Sequence, residues 1–217
     1  MATLESVEFA TNAQPRCPCA LILDTSESMD GARIDALNAG LRTLRDDLLD
    51  HPLAQKRVEI AIVEFNSVAR VVQDFATAAN FQPPTLKAAG VTNMAAGINQ
   101  ALDMIQQRKS KYRSNGVPFY RPWAFLITDG QPTSSVEEVA RRIREDEQNK
   151  RVIFFSVGVQ GADMACLEKF ETKNKPQRLD GLKFKELFLW LSNSLDKVTK
   201  SQPGEQVPLE KGSWVVD

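Results

Sequence analysis

The apolar positions of the chain fall into two kinds of run. Ala20-Leu21-Ile22-Leu23 is unbroken and closes on Asp24, and Trp123 to Ile127 is apolar throughout and closes on Thr128-Asp129-Gly130. Short unbroken runs of this kind mark strands covered on both faces, as in a parallel sheet. Other apolar residues recur at intervals of three and four. The stripe Ile34, Leu37, Leu41, Leu44, Leu48 predicts an amphipathic helix that stops before His51-Pro52. Ala95, Ile98, Leu102 and Ile105 predict a second helix, and a third spans about Val136 to Gln148. A short helix falls near Met164 to Phe170, and a last one carries Phe184, Leu187, Phe188, Leu191, Leu195 and Val198. Val58 to Phe65 and Val68 to Phe75 are β-rich runs separated only by Asn66-Ser67, a link that permits nothing but an antiparallel hairpin. Val152 to Val159 supplies another strand. The alternation predicts an α/β fold: a doubly wound, mostly parallel central sheet with one antiparallel edge strand, helices on both faces and right-handed crossovers.

Neither an internal repeat nor a low-complexity stretch interrupts this order. Residues 1–16 read as an N-terminal extension, 17–200 as one domain and 201–217 as a C-terminal tail, whose Trp214-Val215-Val216 patch either binds a partner or packs back. A chain of 217 residues buries roughly 70% of its unfolded surface and needs no disulfide or metal to fold. With 27 basic and 28 acidic side chains, it lacks the cation surplus that nonspecific nucleic-acid or membrane binding requires. The single histidine, His51, argues against an imidazole-built zinc site and leaves a histidine triad with one candidate base. Cys17, Cys19 and Cys166 are too few and too unevenly spaced for a disulfide framework. Cys17-Pro-Cys19 is either a weak redox or metal motif or a pair of buried thiols. Met1 to Pro15 lacks a basic region followed by an apolar run. No apolar stretch approaches the roughly 20 residues of a membrane span, so a cytoplasmic location is expected. Lys109, Lys111 and Arg113 either complement a helix dipole or form part of a docking surface.

Any chemistry therefore falls to oxygen atoms. In an open parallel sheet, ligands gather beyond the carboxyl ends of strands where the crossovers change faces, and Asp24 and Asp129 both fall there. The loop Asp24-Thr25-Ser26-Glu27-Ser28 offers a carboxylate and then hydroxyls at intervals of two, and Thr92 adds a hydroxyl just ahead of a helix. Singly, these residues also read as a helix cap or an ordinary turn. Jointly they suit a hard cation such as Mg²⁺ or Mn²⁺.

On these residues the chain resembles the von Willebrand factor type A family, whose metal-ion-dependent adhesion site reads D-x-S-x-S, then a distant T, then a distant D. Asp24, Ser26, Ser28, Thr92 and Asp129 fill all five positions. The stretches Pro15-Arg16-Cys17-Pro18, 81–86 and Tyr120-Arg121-Pro122-Trp123 look more specifically like the bacterial stand-alone TerY-like and YegL-like subfamily, associated with tellurite resistance.

The resemblance implies a noncatalytic module that holds Mg²⁺ (or Mn²⁺) and leaves one coordination position for an acidic side chain of a protein partner. It points to a protein kinase and a metal-dependent serine/threonine phosphatase as partners. Glu27, Asn93 and Gly130 are expected on the rim facing the partner. Glu27 departs from the small residue that relatives often carry; it points to solvent, repels an acidic partner or fills the open position itself. The rival readings are an Mg²⁺-dependent phosphatase of the haloacid dehalogenase type and a subunit of an AAA-type chelatase. The first needs a second carboxylate where this chain has Ser26, and the second usually comes in a longer polypeptide.

Overall fold

The computed structural model describes Phe9 and residues 12–216. Strand β1 (Cys17–Asp24) is buried along its whole length and leads through a single 3₁₀ turn, Glu27–Met29, into helix α1 (Ala32–Leu49). A one-turn helix α2 (Ala54–Arg57) precedes β2 (Val58–Phe65), which turns at Asn66-Ser67-Val68 into β3 (Ala69–Thr77). Then come α3 (Met94–Ser114), β4 (Trp123–Thr128), α4 (Glu137–Gln148), β5 (Ile153–Gly158), α5 (Met164–Glu168), β6 (Gln177–Arg178) and α6 (Phe184–Thr199).

These strands form one six-stranded sheet in the order β3-β2-β1-β4-β5-β6. All neighbours are parallel except β2 and β3, whose antiparallel ladder slips register between Ile60 and Val63. This is the doubly wound sheet with one antiparallel edge that the hydrophobic pattern predicts. Side chains of alternate strand residues feed opposite cores. Cys19, Leu21 and Leu23 of β1 join Leu37, Leu41 and Leu44 of α1 and Phe188 and Leu191 of α6. Ala20 and Ile22 join Ile98 and Ile105 of α3 and Val139 and Ile143 of α4. Helices α1 and α6 meet closely at Gly40, where a Cβ would lie 2.4 Å from the Phe188 ring.

Details differ from the sequence pattern. β3 starts at Ala69 and runs to Thr77, because Val68 is spent on the turn and is 53% exposed. α5 ends at Glu168 rather than Phe170. Met94 and Gly97 are buried where Ala95 is only half-buried. Helix α2 and strand β6, of four and two residues, are too short to leave a periodic signature. Among the described residues, no helix is long and apolar enough to cross a membrane.

Candidate functional site

The strand order reverses between β1 and β4, since β1 continues to β2 on one side while β4 continues to β5 on the other. Crossovers leave that point toward opposite faces, which opens a crevice at the carboxyl ends of the two strands. Asp24 closes β1 there and Asp129 follows β4 directly.

Three loops are tied together around the crevice. The main-chain N–H of Thr25 donates to the Phe65 carbonyl at 2.8 Å, which locks the first loop to the end of β2. The segment leading to Thr92 is held from both sides. Asn38 of α1 exchanges two hydrogen bonds with the main chain of Leu86, at 2.9 and 2.8 Å. Ala89 N–H donates to the Thr25 carbonyl at 2.8 Å, and Glu27 N–H donates to the Gly90 carbonyl at 2.9 Å. The third loop is fastened where Thr133 donates to the Thr92 carbonyl from its main chain and its hydroxyl, at 3.0 and 3.1 Å.

The carboxylate of Asp24 is wholly buried. One oxygen accepts from Ser26 N–H at 2.8 Å and the other from the Thr128 hydroxyl at 2.5 Å. Burial raises its pKa above the ordinary carboxylate range; the hydrogen bonds from Ser26 and Thr128 oppose that rise and the charge of Asp129 adds to it. The hydroxyls of Ser26 and Ser28 lie 3.0 Å apart, and Ser28 Oγ donates to Asp129 Oδ1 at 2.7 Å. At Gly130, a Cβ would fall 2.7 Å from Thr92 Oγ1 and 3.3 Å from Asp24 Oδ2. The absence of a side chain there is what lets the second and third loops close on Asp24. Thus Asp24, Ser26, Ser28, Thr92 and Asp129 are brought to one crevice.

The three rim residues sit differently. Glu27 is exposed beside the crevice. Asn93 spends its side-chain oxygen capping α3, accepting from Ala96 N–H at 3.3 Å. Gly130 serves as the close-packed floor just described. Among the described residues, no three of histidine, cysteine, aspartate and glutamate gather to hold a metal. The donor set here is instead two carboxylates among hydroxyl groups.

A family model for the von Willebrand factor type A domain matches residues 20–180. The chain belongs to that family. Solved structures agree on the fold of this von Willebrand factor type A domain. The pilus adhesin SpaC from Lactobacillus rhamnosus GG superposes with a TM-score of 0.68 at 14% identity, over 87% of this chain and 32% of that one. A von Willebrand factor type A protein from Catenulispora acidiphila gives 0.65 at 20% identity, over 84% and 43%. The ArnB paralog VWA2 from Sulfolobus acidocaldarius gives 0.52 at 16% identity, over 84% and 45%. The chain therefore spans a third to just under a half of these proteins. No curated protein matches it.

One residue of the site carries no signal in the spacing of aspartates and hydroxyls. Arg33, in the first turn of α1, donates through Nη1 to Asp129 Oδ2 at 2.7 Å and to the Ser28 carbonyl at 2.6 Å. Ser28 and Arg33 thereby occupy both oxygens of Asp129, and the chain supplies its own cation to the crevice. The available hint is charge: two carboxylates converging in a buried crevice require a positive partner, and Arg33 is the first cation after the loop.

Proposed function

We propose that this chain is a noncatalytic binding module. It holds Mg²⁺, or Mn²⁺, through Asp24, Ser26, Ser28, Thr92 and Asp129 and uses the ion to grip an acidic side chain of a partner protein. The observation that carries the reading is the convergence of these oxygen donors, from three separate loops, at the switch point of the sheet. Their chemistry fits a hard cation: two carboxylates balance its charge, and neutral hydroxyls add donors without weakening its pull on an incoming anion. The bound metal supplies an electrophilic centre with a position open to a carboxylate from outside. Asp24, buried and hydrogen-bonded at both oxygens, would supply negative charge to the ion. Ser26, Ser28 and Thr92 present hydroxyl oxygens.

The partner in this reading is a protein kinase or a metal-dependent serine/threonine phosphatase of a bacterial stress-response system of the tellurite-resistance type, in the cytoplasm. Its support is the three stretches around Arg16, Pro83 and Arg121, together with three cysteines that are unpaired and buried. Calorimetry on EDTA-stripped protein tests the metal directly, with one Mg²⁺ per chain expected and binding lost in Asp129→Ala. In pull-downs, the partner should leave with EDTA and fail to bind Asp129→Ala. Equal retention in all conditions would exclude a metal bridge.

A further inference from the structure

The opposite end of the sheet, where β4 and β5 begin, holds a second concave site of about 620 Å³. Its walls are the C-terminal ends of α3 and α4 and residues 204–209. Six basic residues line it, Lys109, Arg113, Arg121, Lys150, Arg151 and Lys173, against the two acids Glu147 and Glu205. The whole chain has one acidic residue more than it has basic ones, so this is a pronounced local excess.

The nearby acids offset part of it. Glu147 is buried and spends its two oxygens on the main-chain N–H groups of Phe154 and Lys173, at 2.9 and 3.0 Å. Glu205 is exposed and accepts from the Gln202 N–H at 3.0 Å. Of the six cations, Arg151 makes an ion pair, to Asp146 at 3.4 Å. Lys109, only 4% exposed, donates to the Arg151 carbonyl at 3.2 Å. Arg121 gives one N–H to the Glu147 carbonyl at 2.8 Å, and its buried Nε has no hydrogen-bond partner among the described residues. Burial depresses the Lys109 pKa, and the charges of Arg113, Arg151 and Arg121 depress it further against the opposing pull of Asp146. With Glu147, Glu205 and Asp146 counted against the six cations, and the ends of α3 and α4 contributing roughly half a negative charge each, about two positive charges remain.

We propose that this cleft binds a small phosphate ester of about nucleotide size, with Lys109 and Arg121 holding the phosphate group. A phosphate carries close to two negative charges and several acceptor oxygens, and so suits an ammonium together with a guanidinium that has N–H groups to spare. The half-buried side chains of Phe119, Ile153, Val207 and Leu209 offer an apolar wall to the rest of the ligand. The volume lies within the usual span for small-molecule sites, on the order of 300–1,000 Å³. This site is independent of the metal crevice.

Titration calorimetry in EDTA, with AMP, inorganic phosphate and adenosine as probes, tests it while no divalent ion can tether a phosphate at Asp129. AMP should bind one to one, phosphate more weakly and adenosine not at all. Arg121→Gln and Lys109→Met should each weaken AMP roughly tenfold or more, as losing a charge-assisted hydrogen bond does. Should either variant fail to fold, Arg113→Glu with Lys150→Glu, both at exposed positions, gives the same readout. Asp129→Ala should bind AMP as the parent does. Failure of AMP to bind at millimolar concentration, or binding indifferent to these cations, would overturn the proposal. Phosphate binding as tightly as AMP, or adenosine binding equally well, would overturn the ester assignment.

Discussion

Arg33 sets the residue-scale energetics of the crevice. Its guanidinium takes one oxygen of Asp129 while Ser28 takes the other, so a positive charge from the chain itself partners that carboxylate. A metal that draws on Asp129 must displace this contact. Arg33→Ala is therefore expected to act in opposite directions on the two states. The metal-free protein should lose on the order of 1 kcal/mol, a modest figure because the Arg33 side chain is 32% exposed. Mg²⁺ should bind about fivefold more tightly. Thermal melts with and without Mg²⁺, combined with calorimetry, measure both quantities, and a weaker Mg²⁺ affinity in the variant would refute the competition. The convergence of Asp24, Ser26, Ser28, Thr92 and Asp129 was legible in the sequence because each lies in a loop fixed by its own strand or helix. Arg33 was not, since its contact with Asp129 depends on how α1 packs against the end of β4, 96 residues away.

At the scale of elements, β2 carries a buried charge that ties three parts of the chain. Glu59 is fully buried. It pairs with Arg16, ahead of β1, at 3.0 Å and with Arg108 of α3 at 2.7 and 2.9 Å, and it accepts from the Tyr112 hydroxyl. Removing one member of such a cluster leaves the others desolvated without compensation, which costs more than the intact cluster contributes. Glu59→Gln keeps the shape but strands two guanidinium groups, and a loss of about 3–5 kcal/mol is expected. Urea denaturation should show it as a fall in midpoint with the slope unchanged. A loss below about 1 kcal/mol would mean that water reaches the cluster and screens it. The run Val58 to Phe65 announces a strand because its apolar residues other than Ala61 are β-branched or aromatic, yet nothing in it marks Glu59 as buried. Its partners lie 43 or more positions away in sequence. For the same reason β6 escapes sequence reading: its two residues pair with Val157 and Gly158 and are strand only by that contact.

At the scale of the whole molecule, the chain beyond α6 turns back and finishes the sheet's far edge. Val215 bridges antiparallel to Leu179, Asp180 N–H donates to the Trp214 carbonyl at 2.8 Å, and Val216 N–H donates to the Arg178 carbonyl at 3.0 Å. Of the two roles open to Trp214-Val215-Val216 on sequence grounds, the structure takes packing. Trp214 is 2% exposed and meets Trp190 of α6 edge to face at 5.5 Å. The same return path carries residues 204–209 along the basic cleft, so one segment both covers apolar surface and walls a polar site. Burying an indole of this size makes the segment part of the cooperative fold. Trp214→Ala should cost about 3–5 kcal/mol, as emptying a large buried aromatic site does. For a chain of this length that corresponds to a melting temperature lower by roughly 10 °C. A detached segment would leave the melt within about 0.5 kcal/mol of the parent. If the packed arrangement holds, Glu59→Gln and Trp214→Ala, which share no contact, should add in a double variant to within about 0.5 kcal/mol.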